Sequence, residues 1–156
     1  MKVGVVGLGT MGAGIAQISV TAGHETVGRE VSMELAERGR ATIERYLGRA
    51  VEKERMTADE RDAALARLTL TTELSDFADC DLVVEAIVEE LDAKRELFGE
   101  LDRITRPAAV LATNTSALSV TQIAEAVQHP ARVVGMHFFN PAPVLPLVEI
   151  VRAERS

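Results

Sequence analysis

Short apolar runs alternate with amphipathic segments along the 156-residue chain. Runs rich in valine, leucine and isoleucine predict buried strands over residues 2–6, 68–72, 81–87, 108–114, 132–139 and 146–151, with a weaker candidate at 24–30 that contains a glycine. Helices are predicted over residues 13–23, 89–104 and 119–128. This alternation predicts an α/β fold in which helices cover both faces of a mainly parallel sheet.

Residues 32–67 interrupt the simple alternation of strands and helices. Residues 32–56 form one long amphipathic pattern, and Thr57 with Glu60 matches a capping box that begins a second helix. One face of the first helix is predicted to carry Leu35, Ile43, Tyr46, Leu47 and Val51. The sequence therefore predicts a helical hairpin, at about 32–67, inserted into the α/β pattern.

Composition and charge narrow the classes of function. A net charge of −7 argues against nucleic acid as a partner. No stretch approaches the ~20 apolar residues that are needed to span a membrane. The single cysteine, Cys80, rules out an internal disulfide and suits a reducing compartment. We therefore expect one cytoplasmic domain over residues 1–156, with no metal site and no membrane partner.

A glycine-rich loop follows the first predicted strand and precedes a predicted helix. Its residues match the pattern G-x-G-x-x-G and are Gly7, Leu8, Gly9, Thr10, Met11 and Gly12. Gly7 allows a tight turn, Gly9 lets the backbone approach a pyrophosphate, and Gly12 lets helix and strand pack closely. The helix N-terminus also offers free N–H groups to phosphates. The loop predicts a dinucleotide site, and a strand–helix turn without a ligand is the alternative.

The residue that closes the second strand bears on the choice of cofactor. Glu30 lies 21 residues after Gly9, where a carboxylate binds the hydroxyls of the adenosine ribose. Residue 31 is Val31 rather than an arginine, and a carboxylate alone repels a 2′-phosphate. We therefore expect NAD rather than NADP, although Glu30 could also be a solvated acid at a strand end.

Three polar clusters are predicted at the carboxyl edge of the sheet, where ligands bind in open parallel sheets. They contain Glu89 and Lys94, then Asn114, Thr115 and Ser116, and last His137 and Asn140. His137 is the only histidine at a predicted strand end, because His24 lies in a turn and His129 ends a helix. These clusters supply candidate residues for chemistry beside the dinucleotide.

His137 and Glu149 lie inside two neighbouring apolar segments. Charge is costly in such positions, so either each residue is hydrogen-bonded on its own or the two meet. A carboxylate on one imidazole nitrogen sets the tautomer and supports the imidazolium that forms when the other nitrogen takes a proton. Beside an NAD site, such a base predicts hydride transfer between an alcohol and a ketone, with Ser116 and Asn140 holding a substrate oxygen.

Four stretches together closely resemble the NAD-binding domain of L-3-hydroxyacyl-CoA dehydrogenases, including bacterial 3-hydroxybutyryl-CoA dehydrogenases. They are GLGTMGAGIAQ, DLVVEAIVEELDAKRELFGELD, NTSALSVTQIA and GMHFFNPAPVLPLVEIV. The resemblance extends over essentially the whole chain. It implies a Rossmann-type, doubly wound sheet, NAD as cofactor, an acyl-CoA substrate and a homo-oligomer.

The resemblance also implies roles for individual residues. His137 is the general base with Glu149 as its carboxylate partner, and Ser116 and Asn140 contact substrate and cofactor. Two further residues, Glu89 and Lys94, fall on positions of the cofactor pocket. The helical hairpin resembles the part of the family that touches the CoA moiety, which makes Lys53 a candidate for its phosphates.

The chain departs from the family because an all-helical C-terminal domain, which closes over the substrate and makes most of the dimer interface, has no counterpart in the 156 residues. We therefore expect a natural short form, a truncation or one domain of the enzyme. Cofactor binding is expected to persist, turnover to be severely reduced, and apolar surface near the C-terminus to be uncovered.

Two alternatives to this interpretation remain open from the sequence. One is a related dehydrogenase that acts on a carrier-protein-bound hydroxyacyl group or on L-gulonate. The other is a stand-alone NAD-binding module without turnover. The set of Ser116, His137, Asn140 and Glu149 argues against the second alternative.

Overall fold

The computed structural model describes the chain from Met1 to Ser156. Its strands are β1 (Lys2–Val6), β2 (Glu25–Arg29), β3 (Leu68–Thr71), β4 (Leu82–Glu85), β5 (Val110–Thr113), β6 (Val133–Phe138) and β7 (Val148–Arg152). Its helices are α1 (Thr10–Thr21), α2 (Met33–Glu52), α3 (Ala58–Ala66), α4 (Leu91–Ile104) and α5 (Val120–Ala124). The strands form one sheet in the order β3-β2-β1-β4-β5-β6-β7, and only β7 runs antiparallel to its neighbour. The predicted doubly wound α/β fold is confirmed.

Helices cover both faces of the sheet because successive side chains of each strand point to opposite faces. Val3 and Val5 of β1 pack into one apolar core with α1, α2 and α3. Val6 packs into a second core, on the opposite face, that contains Phe98 of α4 and Ile123 of α5. None of the helices has the length and apolar composition of a membrane span.

The order of the strands determines where a ligand can bind at the carboxyl edge of the sheet, which we call the ligand edge. β1 pairs with β2 on one side and with β4 on the other, and both pairings are parallel. β2 and β3 therefore lie on one side of β1, and β4 to β7 lie on the other. This change of side opens a crevice at the carboxyl ends of β1 and its neighbours. The glycine loop lies directly in that crevice, because it connects the end of β1 to α1.

The helical hairpin is present, but its first helix differs from the prediction. α2 ends at Glu52, and Glu54 two residues later has a left-handed backbone with φ of 55°, which a helix cannot continue. Leu35 and Tyr46 of the predicted apolar face are 38% and 47% exposed. The buried stripe of α2 is narrower and contains Ala36, Gly39, Ile43 and Leu47. The predicted capping box of α3 is confirmed.

An apolar surface lies around β7, at one edge of the sheet. All five residues of β7 are exposed. The segment before β7 adds Val144, Leu145 and Leu147, which are 69%, 42% and 56% exposed. The expectation of uncovered apolar surface near the C-terminus is confirmed. Exposed apolar residues grouped in one segment are typical of an interaction face.

A buried ion pair lies at the amino ends of the strands, on the side of the sheet opposite the glycine loop. Arg132, just before β6, donates from Nε and Nη2 to Oδ1 of Asp102 on α4, at 2.9 and 2.7 Å. The backbone N–H of Gln128 donates to the other carboxylate oxygen at 2.8 Å. Burial alone would raise the pKa of Asp102, but these hydrogen bonds outweigh it and lower the pKa below the ordinary value.

Replacement Asp102→Asn is expected to lower the free energy of unfolding at pH 7 by about 3–5 kcal/mol, because Arg132 is left buried without its charge partner. The folded-state pKa of Asp102 is lowered, so its contribution is complete above the unfolded value of ~3.9 and is lost as pH falls through the folded value. Urea denaturation at several pH values measures both effects. The variant should lose less stability than the unmodified chain between pH ~5 and ~2.

The matched control is Asp79→Asn, because Asp79 forms a mostly exposed ion pair with Lys2. That change should cost roughly 0–1 kcal/mol. Equal losses for the two variants would contradict the assignment of a buried, stabilising carboxylate to Asp102.

Candidate active site

The glycine loop is shaped by two positions that exclude a side chain and one that leaves space. A Cβ on Gly12 would lie 1.7 Å from the carbonyl oxygen of Gly7, so helix α1 starts in direct contact with the end of β1. Gly7 has φ of +87°, and its Cβ would lie 2.7 Å from the Ala86 oxygen. A Cβ on Gly9 would meet no atom within 4 Å. Gly9 therefore faces open space, where a ligand can approach the backbone.

The first turn of α1 offers unpaired donors at this open space. Gly9 is the N-cap residue and supplies no side chain to the helix N-terminus. The first N–H groups of a helix lack partners within the helix and carry partial positive charge. The loop residues Thr10 and Met11 lie in this turn, and Thr10 is exposed. Free donors and a cradle without side chains fit the diphosphate of NAD.

Leu8 connects the loop to its neighbours. A Cβ on Gly28 of β2 would lie 2.8 Å from Cδ1 of Leu8, and a Cβ on Gly39 of α2 would lie 2.6 Å from Cβ of Leu8. The glycine that weakened the prediction of β2 is therefore needed to admit this side chain. The Leu8 N–H donates to Oε1 of Glu30 at 2.7 Å, and the Val31 N–H donates to Oε2 at 3.1 Å. Glu30 is thus fixed beside the loop.

The predicted contact between His137 and Glu149 is confirmed. The two residues are register partners in the antiparallel pair β6–β7, and Nδ1 of His137 lies 3.0 Å from Oε2 of Glu149. The His137 side chain is 21% exposed and that of Glu149 is 57% exposed. The imidazole packs against Phe139, with ring centroids 4.7 Å apart. The carboxylate occupies Nδ1, so Nε2 remains for a reacting proton.

The loop after β5 brings a polar side chain to the same edge. Ser116 is exposed and follows buried Thr115. Oδ1 of Asn114 accepts a hydrogen bond from the N–H of Phe138 at 2.9 Å, which ties this loop to the strand that carries His137. Asn140 is also exposed and lies two residues beyond the end of β6. Ser116 and Asn140 are therefore both available to a ligand at the carboxyl edge.

Lys94, a candidate residue of the cofactor pocket, is almost completely buried. Its side chain is only 1% exposed, and Nζ lies 2.5 Å from Oε1 of Glu85 and 3.4 Å from Oε2 of Glu89. Glu89 is the exposed member, at 43%. Partial burial alone would raise the pKa of Glu89, but the Thr115 hydroxyl and the Lys94 ammonium lower it instead. Glu89 therefore stays charged at the ligand edge.

Sequence reasoning missed Glu85, the last residue of β4, which is completely buried. A glutamate that ends the apolar run DLVVE was the available signal, because an acid in a buried strand requires partners. The partner, Lys94, lies nine residues later, on α4.

A cavity of about 760 Å³ lies between the glycine loop, α2 and residues 140–144. Its basic lining residues are Arg38, Arg45, Arg49, Lys53 and Arg55, and its only acidic one is Glu30. The guanidinium groups of Arg45 and Arg49 lie 5.5 and 5.9 Å from the ring centre of Tyr46. Of these five residues, the resemblance to the family indicated only Lys53. The structure collects positive charge here in a chain whose net charge is −7.

The change Gly9→Ala is expected to lower NAD affinity on the order of tenfold or more, because a methyl group would occupy the space needed by the diphosphate. The fold should be unaffected, since Gly9 has φ of −66° and its Cβ would meet no atom. Calorimetric titration and thermal unfolding measure the two effects. Gly48→Ala is the matched control, because that site on α2 is equally open. Unchanged NAD affinity in Gly9→Ala would contradict this site.

Comparison with known proteins connects these features. A family model for the NAD binding domain of 3-hydroxyacyl-CoA dehydrogenase matches residues 2–156. A 3-hydroxybutyryl-CoA dehydrogenase of Mycobacterium tuberculosis is 52% identical over 152 residues, which are 97% of this chain and 53% of the relative.

Two solved structures are similar in fold and sequence. That of 3-hydroxybutyryl-CoA dehydrogenase from Escherichia coli aligns with a TM-score of 0.98 and 40% identity, covering 100% of this chain and 33% of that one. That of (S)-3-hydroxybutyryl-CoA dehydrogenase from Ralstonia eutropha aligns with a TM-score of 0.97 and 38% identity, covering 99% and 55%.

The chain spans about half the length of the curated relatives that it matches. The family match nevertheless includes every element described above, from β1 to β7. The chain belongs to the family of NAD-binding domains of 3-hydroxyacyl-CoA dehydrogenases.

Proposed function

We propose that this chain is the cofactor-binding part of an enzyme that oxidises L-3-hydroxyacyl-CoA to 3-ketoacyl-CoA with NAD, and that 3-hydroxybutyryl-CoA is its substrate. The observation that carries the proposal is the hydrogen-bonded pair of His137 and Glu149 at the ligand edge of an NAD-binding sheet. The names of the relatives in Mycobacterium tuberculosis and Escherichia coli support the same substrate.

The reaction removes a hydride from C3 and a proton from the hydroxyl group, leaving a carbonyl. NAD, when bound, supplies the hydride acceptor. Nε2 of His137 takes the hydroxyl proton, and Glu149 at Nδ1 stabilises the resulting imidazolium. Ser116 and Asn140 are proposed to bind the substrate oxygen and to align it with His137, as both are exposed near the end of a strand.

The basic cavity beside α2 supports CoA as the carrier of the acyl group. CoA carries a diphosphate and a 3′-phosphate, and clustered arginine and lysine side chains bind such groups. Five basic residues line the cavity, and Asn140 lines it as well. The cavity therefore extends from the proposed CoA phosphates to a proposed catalytic residue, and it also includes Gly9 and Glu30 of the proposed NAD site.

We also propose that the enzyme acts in the cytoplasm and as a homo-oligomer. The buried, unpaired thiol of Cys80 supports a reducing compartment. The exposed apolar residues around β7 support association through that edge.

The test is an NADH-formation assay, with the 156-residue chain alone and with the chain fused to the remaining half of the Mycobacterium tuberculosis relative. The fusion should oxidise 3-hydroxybutyryl-CoA. The pantetheine thioester of 3-hydroxybutyrate should show a higher KM, because it lacks the phosphates of CoA. The chain alone should turn over at least ~100-fold more slowly, because the reacting groups are less well positioned and water is not excluded. Preferential oxidation of L-gulonate or of a carrier-protein thioester would contradict the proposed substrate.

Glu149→Gln in the fusion is expected to lower kcat on the order of 100-fold, with little change in the KM for NAD, because the imidazolium loses its charge partner. Steady-state kinetics at saturating NAD measure this effect. Glu154→Gln, an exposed acid just after β7, is the matched control. An unchanged kcat in Glu149→Gln would show that Glu149 has only a structural role and does not support the His137 imidazolium.

A further inference from the structure

A closed ring of hydrogen bonds and one ion pair lies beneath the carboxyl ends of β4 and β5. Oε1 of Glu85 accepts from Lys94 Nζ at 2.5 Å and from the Ile87 N–H at 2.7 Å, and Oε2 accepts from the Thr113 hydroxyl at 2.7 Å. Oγ1 of Thr113 accepts from the Thr115 N–H at 3.2 Å. The Thr115 hydroxyl donates to Glu89, and Glu89 contacts Lys94.

Fold stability alone is a weak reason for such a ring. Buried ion pairs commonly stabilise a protein no better than apolar side chains of the same size, because both charges lose their hydration. A fully bonded buried network instead imposes one arrangement on the groups that it connects. Here every buried side-chain nitrogen and oxygen has a partner. The ring therefore fixes the positions of the side chains and of the loop that it connects.

The groups that the ring connects lie at one half of the dinucleotide site. The adenosine half lies over β1 and β2, where Gly9 and Glu30 are found. A doubly wound sheet binds the second nucleotide over the strands on the other side of the switch point, which here are β4 and β5. The ring reaches the surface there through Glu89 alone, and Thr115 directly precedes Ser116.

We propose that Glu85 is a positioning residue for the nicotinamide half of the site. It holds the Lys94 ammonium in place and, through Thr113 and Thr115, sets the loop that carries Ser116. Glu85 itself is completely buried and touches neither cofactor nor substrate. The inference rests on the proposed function, since it assumes that NAD is the ligand of this edge.

The experiment compares the affinities of NAD⁺ and ADP-ribose in calorimetric titrations. ADP-ribose keeps the adenosine, the diphosphate and the second ribose but lacks the nicotinamide ring. Glu85→Gln should weaken NAD⁺ binding on the order of tenfold and leave ADP-ribose binding within about twofold, because a charge-assisted hydrogen bond is lost at one half only. A general loss of packing would weaken both ligands equally, and that outcome would overturn the proposal, as would no change for either.

Two further variants keep the test decisive if Glu85→Gln folds poorly. Thr113→Val removes the hydroxyl link to the Ser116 loop and leaves the ion pair intact, so it should weaken NAD⁺ selectively but by less. Asp102→Asn breaks the other buried ion pair, at the opposite edge of the sheet, and should not alter the ratio of the two affinities. A change in that ratio for Asp102→Asn equal to that for Glu85→Gln would contradict the inference.

The result also separates this inference from the proposed function. If the unmodified chain binds neither NAD⁺ nor ADP-ribose, the proposed function fails, and the inference fails with it. If the unmodified chain binds both and Glu85→Gln weakens both equally, the inference alone fails.

Discussion

The ligand edge depends on one steric constraint, which is that helix α1 begins in contact with the end of β1. The distance of 1.7 Å between a hypothetical Cβ of Gly12 and the Gly7 oxygen leaves no room for any side chain. This contact aims the first turn of α1 at the crevice and seats Leu8 between β2 and α2. The same turn therefore sets the diphosphate site, the position of Glu30 and the approach of the basic helix. Side chains at Gly7 or Gly12 would displace all three.

The second determinant is the reversal of β7. Five of the six strand pairings are parallel, and only β7 returns antiparallel to β6. In an antiparallel pair two residues twelve apart in sequence become direct neighbours on one face of the sheet. His137 and Glu149 meet for this reason. The fold thus combines a parallel sheet that binds the cofactor with one hairpin that carries the proposed base.

The features that sequence could predict are those with local signals. The glycine loop, the capping box at Thr57 and the two ionisable residues in apolar strands can each be recognised within a few residues. Glu85 was missed because its partner is supplied by α4, which folds back onto the end of β4. The basic cavity was missed because its arginines line a common cavity only when α2 packs opposite the glycine loop. The buried stripe of α2 could not be predicted, as periodicity gives the apolar face but does not reveal how much of it the neighbouring elements cover.

The central proposal is that His137 takes the proton of the substrate hydroxyl group while a hydride leaves the carbon that bears this hydroxyl group for NAD. Transfer of isotope tests it most directly. With 3-hydroxybutyryl-CoA carrying deuterium at C3, the fused enzyme should form NADH that contains the deuterium on its nicotinamide ring, and His137→Gln should abolish the transfer while NAD⁺ still binds. Bound NAD⁺ without any deuterium transfer to the nicotinamide, or undiminished transfer in His137→Gln, would contradict the account.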